Sequence, residues 1–383
     1  MRSLDAARQA CEKRHPGLCA ALDEIPLAER ESVGSPVVEL FRKFDGAGLL
    51  VPPEFGGAGA GALDAVRVMR GLSASSPSLG AAVTMHHFTV AMLFSLAATV
   101  DRLTGPQVDV LSRVAPDGLL MASGWAEGRP NQNILRPGVS AERDGTDWVL
   151  NGSKKPCSLS GSMDLLTASV ALSDNDNETD GTGSLAVALV PATTAGITVL
   201  PFWSTTVLAG AQSDEVRLTD VRVPDELMIR TRPDDPQRLD DLQTAGFMWF
   251  VMLISSVYLG AASTLAADVL GARRGSVTDR ASVASGIEAA VGLLEGVARA
   301  TDAGLSGDEG VAAVLVARYT VQKILAETTD LAVELLGGMA FIRSSDVDYL
   351  SSAVRALAFH PPSRGAAAEP LLDYFAGGPL RLS

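Results

Sequence analysis

Four histidines, three cysteines and a few arginines and acids in loops are the residues of this chain best suited to chemistry. His360 titrates near neutral pH when unperturbed, which makes it a candidate general base. The alternative is a helix-end histidine, because Pro361 and Pro362 stop a helix there. Arg364 stays protonated at any working pH, so it can hold an anion but cannot remove a proton. Glu127 is an acid in the run Trp125-Ala126-Glu127, where an acid–base role competes with a structural one. His86 and His87 are neighbours on an apolar helix and point in different directions, which argues against a shared metal. Cys11, Cys19 and Cys157 show neither metal-ligand spacing nor a disulfide framework. The acidic loop from Ser173 to Gly183 invites a calcium reading. Counted from Asp176, however, the twelfth position is Val187, where a chelating glutamate would be needed.

Composition narrows the class. The chain has 383 residues, 47% of them hydrophobic and 20% charged, which suits two or three globular domains. A net charge of −14 excludes a nucleic-acid footprint but leaves room for a phosphorylated cofactor. The N-terminus lacks the apolar core of a secretion signal, so a cytoplasmic location is expected. Leu242 to Ala267 carries no charge and is long enough to span a bilayer. Its small and hydroxyl residues favour a helix buried inside a bundle or oligomer, with no membrane expected.

Three blocks of elements must position these residues. Residues 1–117 read as helices, with segments near Leu63–Leu72 and Leu79–Ala98. Residues 118–232 read as a β-domain with strands at Leu119–Ser123, Val139–Glu142, Trp148–Asn151, Leu165–Leu172, Ser184–Val190, Ile197–Phe202 and Glu215–Val223. Asn151-Gly152 is a strong hairpin signal, because both residues tolerate positive φ. Residues 233–383 hold four helical stretches, Leu239–Leu270, Arg280–Ala303, Asp308–Leu336 and Ser345–Ala358, which suggests a four-helix bundle.

Four motifs, in order, resemble those of acyl-CoA dehydrogenases. They are Val51-Pro52-Pro53-Glu54-Phe55-Gly56-Gly57, Trp148-Val149-Leu150-Asn151-Gly152-Ser153-Lys154, Asp220-Val221-Arg222-Val223-Pro224 and Glu334-Leu335-Leu336-Gly337-Gly338-Met339. The resemblance covers nearly the whole chain. It implies an α+β architecture: an N-terminal helical domain, a middle β-barrel-like domain and a C-terminal four-helix bundle, with FAD held between them. It also implies a homo-oligomer, dimer or tetramer, in which the adenylate arm of the flavin reaches a neighbouring subunit. An electron-transfer or flavin-reductase partner is implied as well, together with an acyl thioester on CoA or a carrier protein as substrate.

Carried over residue by residue, the resemblance places the flavin beside Trp125, Ala126, Gln132, Cys157 and Ser158. Arg273 and Arg274 fall at its pyrophosphate, and Glu334, Gly337 and Gly338 of the family's Gly-Gly turn are also expected at the cofactor. One of His86 and His87 is expected to face the acyl slot and the other solvent. The family's catalytic glutamate falls on Arg364, and the alternative base position on the first bundle helix falls near Phe250. Neither residue can remove a proton. Ala126 replaces a flavin-bonding threonine, whereas Ser158 keeps the hydroxyl. The leading expectation is an acyl-CoA dehydrogenase-type oxidoreductase with a non-standard active site. The first alternative is a flavin monooxygenase acting on nitrogen, sulfur or carbon, a branch that also lacks the glutamate. The second is a flavin-free binding protein.

Overall fold

The computed structural model describes residues 1–97, 102–129, 136–173, 184–230, 239 and 241–382. The N-terminal part holds α1 (Arg2–Arg14), α2 (Leu18–Asp23), α3 (Leu27–Arg30), α4 (Val37–Lys43), α5 (Ala62–Ser75), α6 (Pro77–Ala97) and α7 (Gly105–Ser112). The middle part holds β1 (Met121–Gly124), β2 (Ser140–Asp144), β3 (Asp147–Cys157), β4 (Leu165–Ser173), β5 (Ser184–Pro191), β6 (Ile197–Leu200), β7 (Asp214–Pro224) and β8 (Met228–Arg230). The last part holds α8 (Asp241–Gly271), α9 (Val277–Asp302), α10 (Gly307–Leu336), α11 (Gly338–Arg343), α12 (Ser345–Arg355) and α13 (Arg364–Phe375).

The uncharged run is α8, and it forms the axis of the molecule. It packs against α5 and α6 on one side and against α9, α10 and α12 on the other. Among the described residues, three helices are long and apolar enough to cross a membrane. In two of them, Pro77–Ala97 and Leu242–Gly271, 89% and 83% of the apolar window is buried inside the protein, so packing accounts for their composition. Gly260 shows how close that packing is: a Cβ there would sit 2.5 Å from the carbonyl oxygen of Arg70 on α5.

The helical parts are tied together at helix starts. Asp302, at the end of α9, accepts from the amides of Ala62 and Leu63 at 2.6 and 3.0 Å and so caps α5. Glu31 does the same for α6, accepting from the Ser78 amide at 2.9 Å and the Ser76 hydroxyl at 2.6 Å. The Tyr349 hydroxyl of α12 also donates to Glu31 and accepts from the Leu208 amide at 3.0 Å. One buried carboxyl therefore joins all three parts of the fold.

The strands run β6-β7-β3-β2-β4-β5-β8, and β1 pairs in parallel with the first half of β4. The expected β-domain is this one eight-stranded sheet, in which β6 and β8 end the order and do not pair with each other among the described residues. The expected Asn151-Gly152 hairpin is corrected. Both residues lie inside β3, and the β2–β3 turn falls at Gly145 and Thr146. Gly152, at φ 143, marks a shift of register against β7. Asn151 and Asp220 clasp across it, with bonds of 2.9 and 3.1 Å, so the positive-φ tolerance seen in the sequence serves a bulge. The three-residue β8, the short α11 and α13 with its internal Pro370 went unforeseen.

Candidate active site

A cleft of about 920 Å³ opens between the β-domain and the bundle, and a slot of about 180 Å³ continues from it. Met85, Trp125, Ala126, Pro156, Ser158, Phe247, His360 and Pro361 line both. The slot runs between two helices. Phe88 and Met92 come from α6, and Gly246 and Phe250 from α8. Among the described residues no carboxylate lines the slot.

His360 follows α12 and a short 3₁₀ turn. Its Nε2 lies 2.6 Å from the hydroxyl of Tyr258 on α8, and its ring meets Phe250 edge-on at 5.8 Å. Burial, reinforced by the nearby Arg318, pushes its pKa down to about 3. His360 is therefore a neutral hydrogen-bonding group at working pH and a weak base. The segment behind it is held by Arg318 of α10. This fully buried guanidinium donates to the carbonyls of Leu357 at 3.3 Å, of Pro361 at 3.0 Å, and of His360. Tyr319 adds a bond from its hydroxyl to the Pro362 carbonyl at 2.9 Å.

Sequence reasoning missed Arg318, although a signal was available. Arg318 is the one cation on the apolar stripe Val311, Val314, Leu315, Val321 and Leu325 of α10, all of it buried. Tyr258 and Ser213 were missed as well. Ser213 stands 2.9 Å from Ser158, hydroxyl to hydroxyl, at the cleft wall.

Of the other expected site residues, Glu127 lines the cleft without acting as a base, and the rest fall in different places. Glu127 is corrected as a base: its carboxylate accepts from buried Lys154 at 2.7 Å and from the amides of Gly138 and Val139 at 2.8–3.2 Å. That set of donors makes it a structural anion, and burial lowers the Lys154 pKa against the pull of Glu127. Arg364 begins α13 with its side chain exposed, and it does not line the cleft, although Ser363 and Ala366 do. Cys157 is buried behind the wall, 3.7 Å from the Ser123 carbonyl, and burial pushes its pKa up to about 12.

His86 and His87 are both fully buried, which corrects the expectation that one faces the slot and one the solvent. The Met121 amide donates to His86 Nδ1 at 3.1 Å, so Nε2 carries the proton and donates to the Ala47 carbonyl at 2.9 Å. Arg273 and Arg274 are exposed at the far end of α8, and Gly275 there packs against Leu335 beside Glu334, Gly337 and Gly338. With 1.5 Å of rise per residue, Arg273 lies roughly 35 Å along α8 from Phe250, so one chain does not bring this group to the cleft. Gln132 lies outside the described residues, as does the acidic loop from Asp174 to Gly183.

The cleft fits a flavin. Its volume falls in the range of about 300–1,000 Å³ that encloses such ligands. Ser158 and Ser213 share one hydrogen bond between two hydroxyls, which leaves one hydroxyl hydrogen for an acceptor. Trp125, Ala126 and Pro156 supply the flat apolar wall a ring system needs.

Comparison with known proteins agrees with this geometry. Residues 3–101 match the family model "Acyl-CoA dehydrogenase, N-terminal domain". The chain is 60% identical over 382 residues to an isobutylamine N-hydroxylase of Streptomyces viridifaciens, covering 100% of both chains. The structure of KijD3 in complex with FMN and a dTDP-linked amino sugar superposes with a TM-score of 0.85 at 20% identity, covering 98% of this chain and 96% of that one. The structure of XiaF from Streptomyces sp. in complex with FADH2 superposes with a TM-score of 0.79 at 20% identity, covering 99% and 98%.

Proposed function

The chain belongs to the acyl-CoA dehydrogenase superfamily as a flavin-dependent oxidoreductase, and within it we propose an N-hydroxylase of small aliphatic primary amines. The observation that carries this reading is the full-length 60% identity to an isobutylamine N-hydroxylase. The geometry supports it. Removing the α-proton of an acyl thioester needs a base, and the two positions where the family keeps one hold Arg364, outside the cleft, and Phe250, an aromatic of the slot. The acyl-thioester dehydrogenase reading gives way to the monooxygenase alternative.

A bound reduced flavin supplies two electrons and activates oxygen, so that one oxygen atom enters an N–H bond and the other leaves as water. The chain's own residues do the rest. The slot of Met85, Phe88, Met92 and Phe247 takes the alkyl group and excludes water. A nitrogen must offer its lone pair to be hydroxylated. With no carboxylate among the described residues lining the slot and His360 neutral, the amine binds as its free base. Ser158 and Ser213, at the cleft wall, would hold the flavin edge. FMN needs only the cleft, whereas the adenylate half of FAD would need Arg273, Arg274 and the Gly337-Gly338 turn of a second copy.

The test supplies the protein with FMN or FAD, a flavin reductase, NAD(P)H and isobutylamine, and measures hydroxylamine formation against oxygen uptake. Amine-dependent hydroxylamine is expected. Because an alkylamine resembles lysine, with a pKa of about 10.4, kcat/KM should climb about tenfold per pH unit through the neutral range. A flavin-loaded protein that hydroxylates no small amine, or whose flavin is bleached anaerobically by acyl-CoA, overturns the reading.

A further inference from the structure

The spacing of Cys11 and Cys19 gives no hint of a bridge, yet the fold places their sulfurs 3.0 Å apart. Both are buried free thiols, Cys11 fully covered and Cys19 9% exposed. A disulfide bond is about 2.05 Å long, so closure needs a movement of roughly 1 Å. The turn between them is already set. Gly17, at φ 88, reverses the chain from α1 to α2, and its amide donates to the Glu12 carboxylate at 3.0 and 3.1 Å. The His15 amide donates to the Cys11 carbonyl at 2.7 Å.

We propose that Cys11 and Cys19 form a modification site, a dithiol that hydrogen peroxide closes to a disulfide. Cys19, the less buried of the two residues, attacks one peroxide oxygen. The O–O bond breaks, and hydroxide leaves and takes up the thiol proton as water. The sulfur is now a sulfenic acid. Cys11 displaces its hydroxyl: the S–S bond forms, the S–O bond breaks, and the second hydroxide leaves with the Cys11 proton as water. The two thiols lose two electrons and one peroxide gains them.

The local chemistry suits those roles. The hydrogen bond shared with Cys11 holds the Cys19 thiol below its ordinary range, with a smaller contribution from Arg8, while the same contact and burial push Cys11 up. Cys157 is an internal control, because it is fully buried and donates to a carbonyl. Peroxide is what oxygen becomes when a reduced flavin is oxidised without a substrate to receive the oxygen, but the site does not depend on that source.

The experiment treats the folded, reduced protein with a small excess of hydrogen peroxide, alkylates it in denaturant, and measures intact mass and tryptic peptides. The expected product has lost two hydrogens and alkylates at Cys157 alone. It yields Gln9–Lys13 joined to His15–Arg30, a pair that reductant separates. In Cys11→Ser, Cys19 should stop at a sulfenic acid that dimedone captures, and Cys157→Ser should still form the bridge. Three alkylatable thiols after peroxide overturn the proposal. So does a bridge to Cys157, or a Cys19 driven to sulfinic acid while Cys11 stays a thiol.

Discussion

The two ends of α8 contrast in how they treat charge. At the cleft end, ions are taken out of water and saturated: Lys154 on Glu127, and Arg318 on three carbonyls. At the far end, Arg273 and Arg274 stand exposed beside the turn at Gly337. By family resemblance only the exposed pair was expected at the cofactor, and the two groups differ in what a lone chain asks of them. The buried ions shape a site within the chain. The exposed ones do nothing for it unless a second copy or a longer ligand arrives.

The largest effect should come from Lys154→Met, which strands Glu127 as a buried anion. A loss of about 3–5 kcal/mol in unfolding free energy is expected from denaturant titration. Adding Glu127→Leu should restore much of it, and a small loss in the single variant would contradict the ion-pair account. Acid comes next. Burial holds the His86 pKa at about 4, below its unfolded value of about 6.5. The stability of the neutral form is therefore present above pH 6.5 and drains as pH falls towards 4. The cost is on the order of 3 kcal/mol by linkage. His15, His87 and His360, lowered by the same burial, add to it. Glu31, whose carboxyl burial raises, works in the opposite sense. Unfolding midpoints that do not move between pH 7 and pH 4.5 would refute this.

Arg318→Lys keeps the charge but loses the fork that grips the carbonyls of Leu357, His360 and Pro361. A loss of about 1.5–3 kcal/mol is expected, with flavin affinity, read by fluorescence quenching, weakened in parallel. The smallest effect sharpens the contrast. Arg273→Ala with Arg274→Ala should change stability by no more than about 0.5 kcal/mol and leave FMN affinity alone. FAD affinity should fall only if the adenylate arm crosses to a second copy. A fall in FMN affinity would show that the far end serves the cleft after all.

Much of the fold was legible because period and punctuation agree. Gly337-Gly338 ends α10 where expected, and the uncharged run became α8 almost residue for residue. Asn151-Gly152 misled because tolerance of positive φ marks a bulge as readily as a turn. The site was less legible. Trp125, Ala126, Ser158 and His360 converge in one cleft, but Glu127 and Arg364 do not act there, because local sequence does not record which partners a carboxylate will meet or which way a helix start faces. Ser213 and Tyr258 act through contacts 55 and 102 residues away along the chain, beyond the reach of any spacing rule.

The Glu31 joint has a consequence for how the protein is made. Its tyrosine partner is 318 residues further along the chain. On the ribosome the N-terminal helices can assemble early, but that carboxyl lacks its last donor until almost the whole chain has emerged. Completion of the fold is thus reported at a residue near the beginning. A chain truncated before Tyr349 would carry an unfinished N-terminal half, however well its own helices pack.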